Sequence, residues 1–148
     1  MSEPSQPAKI LIADDHPHGV ELLEAYLSDT PYETRTASNG EDTLKIVQSW
    51  KPDVVLLDVM MPRMSGFEVC KRIRADEATR DIAVLMITAL DEPSDVERAV
   101  EVGTDDFLTK PVNKTELLLR IRALLKSREM SSEPRRTISY IEEVQQSS

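Results

Sequence analysis

The sequence predicts a single α/β domain with a parallel sheet covered by helices on both faces. Two observations carry this. Three apolar runs, Lys9–Ala13 (KILIA), Val54–Leu57 (VVLL) and Ala83–Ile87 (AVLMI), are continuous rather than alternating and rich in β-branched residues, which is how strands buried on both faces read. Between such runs lie segments of helical periodicity, and strands alternating with helices imply a doubly wound sheet with right-handed crossovers.

The elements follow in order. After the first run, Pro17 opens a helix whose Val20, Leu23 and Leu27 share a face, since proline suits a first helical turn. Tyr32–Ala37 (YETRTA) alternates apolar with polar residues and suits an edge strand. A second helix starts near Asn39-Gly40, with Leu44 and Val47 inward. After Val54–Leu57, Ser65 with Glu68 three residues later has the pattern of a capping box and opens a third helix. A fourth helix follows Pro93 and ends at Gly103, glycine being favoured just past a helix end. Phe107–Leu108 is a weaker fifth strand. Asn113 with Glu116 is again box-like and opens a fifth helix through Leu117, Ile121 and Leu124.

The domain is expected over residues 9–127. Residues 128–148 read as a tail or linker, rich in Ser, Glu, Gln and Arg, with a marginal helix admitted around Ile138–Val144. That stretch is too short for a winged helix or helix-turn-helix, so no DNA-binding output is expected in it.

Composition narrows the function. The chain has 148 residues, 18 Lys+Arg against 27 Asp+Glu, and a net charge of −9. Such an acidic balance argues against non-specific nucleic-acid binding, which needs a basic surface. No apolar run approaches the roughly 18 residues that span a bilayer, and the first residues lack a signal peptide's basic and apolar regions. A single cysteine, Cys70, forms no internal disulfide and fits a reducing cytoplasm. Its spacing from Phe67 and Ile73 makes it a core residue rather than a redox group.

The informative acids stand at strand ends. Asp14 and Asp15 follow the first strand, Asp58 the third, Thr88 ends the fourth, and Lys110-Pro111 follow the fifth. Open parallel sheets bind ligands in the crevice beyond the carboxyl ends of their strands. Three carboxylates, a hydroxyl and an ammonium therefore converge on one pocket. Clustered carboxylates repel unless neutralised, and a hard cation such as Mg²⁺ answers that need with oxygen ligands. Cation and Lys110 together suit a transferring phosphoryl group, with Asp58 as the in-line nucleophile and Thr88 as a donor to a phosphoryl oxygen. Taken singly, these residues read more simply: Asp15 as a helix cap, Thr88 as an ordinary strand residue, Lys110 as a solvated charge. His16 and His18 raise a transition-metal reading. They lie in a helix-opening turn with no third nitrogen or sulfur ligand nearby, which disfavours it.

The motifs ILIADD, VVLLDVMMPRMSGFE, LMITAL and GTDDFLTKP, in that order and each at a strand end, resemble those of the CheY-like receiver domains of bacterial two-component response regulators. The resemblance covers about residues 9–127. It implies a flavodoxin-like (βα)5 fold with strand order 2-1-3-4-5. It also implies phosphorylation of Asp58 by a histidine kinase or histidine phosphotransfer protein, with Mg²⁺ (Mn²⁺ being an expected substitute) held by Asp14, Asp15, Asp58 and the Met60 backbone carbonyl. Thr88, Ala89 and Lys110 would bind the phosphoryl group, Thr88 and Phe107 would form the switch pair, and the bond to Pro111 would be cis. Where many members carry tyrosine, Phe107 has no hydroxyl, so a partner must read its position or packing. The only catalysis expected is that of the domain's own phosphorylation and dephosphorylation.

Met60 and Leu90 are apolar and cannot orient an attacking water, so the phosphoryl group is expected not to be unusually short-lived. Ala89 is small and leaves the pocket open to a phosphodonor. Met60, Met61 and Met64 are expected to pack over Asp58.

Two other functions compete. An aspartyl-nucleophile phosphatase of the haloacid-dehalogenase type needs a second aspartate two residues after the nucleophile, where this chain has Met60. An unphosphorylated docking scaffold would not need the full set of Asp14, Asp15, Asp58, Thr88 and Lys110. Leu118 and Leu125 leave two readings open. They widen the core face of the fifth helix, or they face a second copy across the surface of the fourth helix, fifth strand and fifth helix.

Overall fold

The computed structural model describes residues 6–90 and 92–128. Five strands and five helices alternate: β1 (Lys9–Ala13), α1 (Pro17–Leu27), β2 (Glu33–Ala37), α2 (Gly40–Trp50), β3 (Val54–Leu57), α3 (Gly66–Ala75), β4 (Ala83–Thr88), α4 (Pro93–Val102), β5 (Asp106–Thr109) and α5 (Lys114–Arg128). All strands pair in parallel, in the order β2-β1-β3-β4-β5. The alternating sequence pattern of β2 is explained by its place at the sheet edge.

The continuous apolar runs divide between two faces, because successive side chains of a strand point oppositely. Ile10, Ile12, Val54, Leu56, Leu85 and Ile87 form one cluster with Leu23 and Leu27 of α1 and Leu117, Ile121 and Leu124 of α5. Leu11, Ala13, Val55, Leu57, Val84 and Met86 form the other with residues of α2, α3 and α4, including Val47, Phe67, Cys70 and Ala99. The result is an α/β/α sandwich with α1 and α5 on one face.

Sequence boundaries shift by a residue or two. β2 begins at Glu33, β4 includes Thr88, and β5 extends to four residues because Asp106 to Thr109 pair with Leu85 to Thr88. α5 runs to Arg128, one residue beyond the expected boundary of the domain. Most of the tail, including Ile138–Val144, lies outside the described residues.

Helix ends show how side chains decide caps. Ser65 accepts from the Glu68 N–H and Asn113 from the Glu116 N–H, as expected. Neither glutamate completes the box, because Glu68 reaches Arg72 and Glu116 reaches Arg120 instead. The complete box is on α4, where Glu92 and Asp95 cap each other's backbone. Gly103 ends α4 at φ +94°, a left-handed conformation that glycine adopts without penalty.

Leu118 and Leu125 are half-buried and pack against the α1-side cluster, in accord with their widening the core face of α5. The more exposed apolar side chains of that region are Val96 and Val100, one turn apart on α4.

Candidate functional site

The carboxyl end of the sheet is built by a ladder that continues one residue past its strands. The Asp14 N–H donates to Ala37 O, the Asp58 N–H to Ala13 O, and the Lys110 N–H to Thr88 O. Each bond fixes the residue that leaves the strand, and so aims three functional side chains into one crevice. The Lys110–Pro111 peptide bond is cis. Beyond it, the Tyr26 hydroxyl donates to Val112 O and ties the following loop to α1.

Asp14 and Asp58 are nearly fully buried. Asp14 Oδ1 accepts the His16 N–H at 2.9 Å, while its Oδ2 lies 3.4 Å from Lys110 Nζ. Asp58 Oδ1 accepts the Met60 N–H at 3.1 Å, and its Oδ2 lies 3.6 Å from Lys110 Nζ, beyond hydrogen-bond range. Asp58 Oδ2 and Asp15 Oδ1 are buried without a hydrogen bond among the described residues. Burial pushes the Asp58 carboxyl above the usual range, and the nearby Asp14 adds to this. The Met60 N–H and Lys110 act against it.

Orphaned, buried carboxylate oxygens are costly, and these two face a cluster of oxygen donors. That is the donor set a hard divalent cation takes. Asp14, Asp15 and Asp58 therefore fit Mg²⁺. Beside Asp14 and Asp15 a groove of about 550 Å³ opens, lined in part by Pro17, Glu21, Asp42 and Lys45, so the cluster is reachable from solvent.

Thr88 is fully buried at the end of β4, and its Oγ1 accepts the Leu90 N–H at 3.3 Å. Ala89 is exposed and Leu90 half-buried. Phe107 is half-buried against the cluster that holds Met86 and Ala99, on the α4 side of the sheet.

The methionines depart from expectation. Met60 is 54% exposed, while Met61 is buried in the core and Met64 packs toward Gly40. Asp15 is not a side-chain cap either: the N-cap of α1 is His16, which makes no side-chain cap bond.

Two glycines border the site beyond the residues singled out from sequence, and His16, weighed there as a transition-metal ligand, lies beside its acids. A Cβ on Gly66 would lie 2.4 Å from Asp58 O and 2.8 Å from Val59 Cα, so only glycine lets α3 begin against the Asp58 loop. A Cβ on Gly19 would lie 2.4 Å from Asp14 Oδ2. His16 Nδ1 lies 3.1 Å from Asp15 Oδ1 and 3.4 Å from Asp14 Oδ1. The signal for Gly66 was its place in SGFE at a helix start. Gly19 gave none, because it meets Asp14 only through the turn into α1.

The model of the response regulator receiver domain matches residues 10–122. Among curated proteins, the response regulator PleD of Caulobacter vibrioides is 46% identical over 79% of this chain and 26% of its own length. The alkaline phosphatase synthesis transcriptional regulatory protein PhoP of Bacillus subtilis is 40% identical over 84% of this chain and 51% of its own. The chain thus spans about a quarter to a half of these relatives. Among solved structures, a putative response regulator from Chloroflexus aurantiacus is 35% identical with a TM-score of 0.78, covering 82% of this chain and 99% of that one. The chemotaxis protein CheY4 of Vibrio cholerae is 33% identical with a TM-score of 0.76, covering 80% and 99%. With the sheet order and the acidic crevice already in place, the match across three quarters of its length settles the family: the chain belongs to the CheY-like response regulator receiver domains of two-component signalling.

Proposed function

We propose that the domain accepts a phosphoryl group on Asp58 from a histidine kinase or a histidine phosphotransfer protein. The observation that carries this is Asp58 Oδ2, buried, without a hydrogen bond, and facing Lys110 Nζ at the end of β3. A nucleophile needs a lone pair that no donor already occupies. In the transfer, Asp58 Oδ2 forms the new P–O bond as the donor's N–P bond breaks, and the departing imidazole nitrogen keeps the electron pair and is protonated. Asp14, Asp15, Asp58 and the Met60 carbonyl would hold Mg²⁺ (or Mn²⁺), which when bound supplies charge stabilisation to the phosphoryl oxygens. Lys110, already between Asp14 and Asp58, adds a second positive charge to the same face.

The Thr88 hydroxyl, now accepting from Leu90, would turn to donate to a phosphoryl oxygen, with Ala89 leaving the approach open. The Phe107 ring, packed on the α4 side of the sheet, would follow, changing the α4–β5–α5 surface. That surface carries Val96 and Val100 and the 2.9 Å Arg120–Asp106 ion pair. It would control a downstream protein, an output domain or a second copy of the chain. The exposed Met60 and the half-buried Leu90 have no polar group to orient water, which supports a phosphoryl group not unusually short-lived. Met60 also leaves a phosphatase of the haloacid-dehalogenase type without its acid/base, and the module is read as signalling rather than turning over substrate. Among the described residues no helix is long and apolar enough to cross a membrane. Cys70 is buried, its thiol pushed up to about 11 by that burial, in keeping with a structural thiol in a cytoplasmic module.

The test is incubation with acetyl phosphate and Mg²⁺, followed by intact mass of wild type and Asp58→Asn. A phosphate adduct on wild type alone is expected. No adduct, or an equal one on the variant, rejects the proposal and leaves the docking scaffold.

A further inference from the structure

We infer that the groove between α3 and α4 docks an acidic segment of a partner protein. That segment sets a carboxylate against Lys71 and Arg98 and an apolar side chain on Ala75 and Val102.

The two helices lie side by side in a fixed register. The Arg98 guanidinium stands 4.7 Å from the Phe67 ring, the Cys70 thiol donates to Val102 O at 3.4 Å, and Arg74 Nε donates to Gly103 O at 2.8 Å. A groove of about 530 Å³ opens between them. From Phe67 to Ala75 it follows α3 for about 12 Å at 1.5 Å per residue, the length of three or four residues of extended chain. Its shape is set in advance. Phe67 is buried, and Arg74 is also held by Arg80 O, Ile82 O and Asp105. On α4, helical spacing puts Arg98 and Val102 on one flank of the buried Ala99 and the exposed Val96 and Val100 on the other. A segment in the groove therefore leaves the α4–β5–α5 surface open.

Charge names the occupant. The chain carries a net charge of −9, yet cations gather in this groove. Glu68 on its rim is already taken by Arg72 at 2.9 Å. Arg98 has Asp95 and Glu101 one turn away on its own helix, but Asp95 closes the box with Glu92 and Arg98 lies over Phe67 instead. Among the described residues neither Lys71 nor Arg98 has an ion pair. A guanidinium stacked on a ring keeps its N–H edge for an acceptor and loses little freedom when a carboxylate arrives. Glu101, beside Val102, repels a second carboxylate at that end. The acid is thus directed to the Phe67 end, and the Ala75 and Val102 end is left to an apolar group. Both cations are exposed, so a small anion held by charge alone is screened, whereas a segment adds the apolar contact. Complementary charge then supplies partner choice and orientation.

Amide chemical-shift mapping of the full chain at low salt tests this. The probe is an end-capped peptide of repeated Glu-Glu-Leu. The comparisons are repeated Lys-Lys-Leu, repeated Glu-Glu-Ser and inorganic pyrophosphate. Saturable shifts along Phe67–Ala75 and Arg98–Gly103 are expected with Glu-Glu-Leu, weaker binding with Glu-Glu-Ser, and none with Lys-Lys-Leu. Lys71→Glu and Arg98→Glu are each expected to weaken the Glu-Glu-Leu peptide about fivefold, the upper worth of an exposed ion pair. Acetyl-phosphate labelling of both variants stays within about twofold of wild type, so a lost response is not a lost fold. Equal binding of the Lys-Lys-Leu peptide, or of the Glu-Glu-Leu peptide to Arg98→Glu, overturns the inference. So do shifts confined to other elements. Pyrophosphate binding as tight as the peptide's rejects the segment in favour of a small-anion site.

Discussion

Lys110 Nζ is shared between Asp14 Oδ2 at 3.4 Å and Asp58 Oδ2 at 3.6 Å. One ammonium serves two buried carboxylates that would otherwise repel, and it does so from the side on which a phosphoryl group would arrive. Its place is set by backbone, since the Lys110 N–H is bonded to Thr88 O. The same charge therefore offsets part of the acidity of the resting site and, in the proposed transfer, would be available to the incoming group.

Replacing Lys110 by Met keeps the aliphatic stem and removes the charge. Two consequences of opposite sign are expected. Mg²⁺ binding tightens, because a competing cation has left the carboxylates. Adduct formation from acetyl phosphate slows by about tenfold or more, the scale of losing one electrostatic stabiliser. Calorimetry and timed intact mass measure the two separately, and a parallel loss of both would show Lys110 to be merely structural.

Asp58 gives a pH prediction. Its carboxyl is raised by burial above the ordinary 3.8, so between that value and the raised one the folded state holds more protons than the unfolded. Stability then falls as pH rises through this window, and the full contribution is present only below it. At neutral pH, without Mg²⁺, wild type carries the cost of a buried charge. Asp58→Asn is expected to be more stable there by about 1 kcal/mol, a few degrees in Tm. The gap closes on acidification toward pH 3.8. Adding Mg²⁺ raises the Tm of wild type and not of the variant. Thermal melts across pH, with and without Mg²⁺, check all three.

How much of this the sequence carried depended on whether the cause was local. β1, β3 and β4 were legible because Ile10, Leu11, Ile12, Val55, Leu57 and Leu85 are fully buried whichever face they meet, and continuous burial leaves a continuous apolar run. β5 was faint because only Leu108 of its four residues is buried, its extent being set by pairing with β4. The clustered acids were legible for a topological reason, since each stands at a strand end. The directions taken by the His16 and Met60 side chains, and the approach of Gly19 to Asp14, were not, because each depends on a turn whose path is decided by partners elsewhere. The same holds for Arg74, which donates to Gly103 O and Ile82 O and pairs with Asp105 at 2.7 Å. That clamp joins α3 to the ends of α4 and β4 mostly through backbone carbonyls, which carry no sequence signature.

Lys51 ends α2 in the left-handed region at φ 55°, where a Cβ is strained. Its side chain is exposed and its N–H already closes the helix on Val47 O. Lys51→Gly is expected to raise stability by about 0.5–1 kcal/mol, glycine being favoured at such positions. Denaturant titration with an unchanged slope would confirm it, and a lower midpoint would contradict it.

Gly66 couples the helix start to the Asp58 loop. Its N–H donates to Val59 O at 2.9 Å, and an added Cβ would lie 2.4 Å from Asp58 O. The obstructing atoms are backbone, so no side-chain rotation relieves them. Gly66→Ala must push α3 away from β3, and overpacking of this kind costs about 1–3 kcal/mol. The displacement also moves the Met60 N–H that holds Asp58 Oδ1 and the Met60 carbonyl beside it. Mg²⁺ affinity and acetyl-phosphate labelling are therefore expected to fall together with stability in Gly66→Ala. In Gly103→Ala, where the added Cβ meets the flexible Arg74 side chain at 3.0 Å and φ is +94°, stability alone is expected to fall, because that end of α4 lies away from the carboxylates. Paired melts and calorimetry on the two variants separate a general loss of stability from a loss transmitted to Asp58.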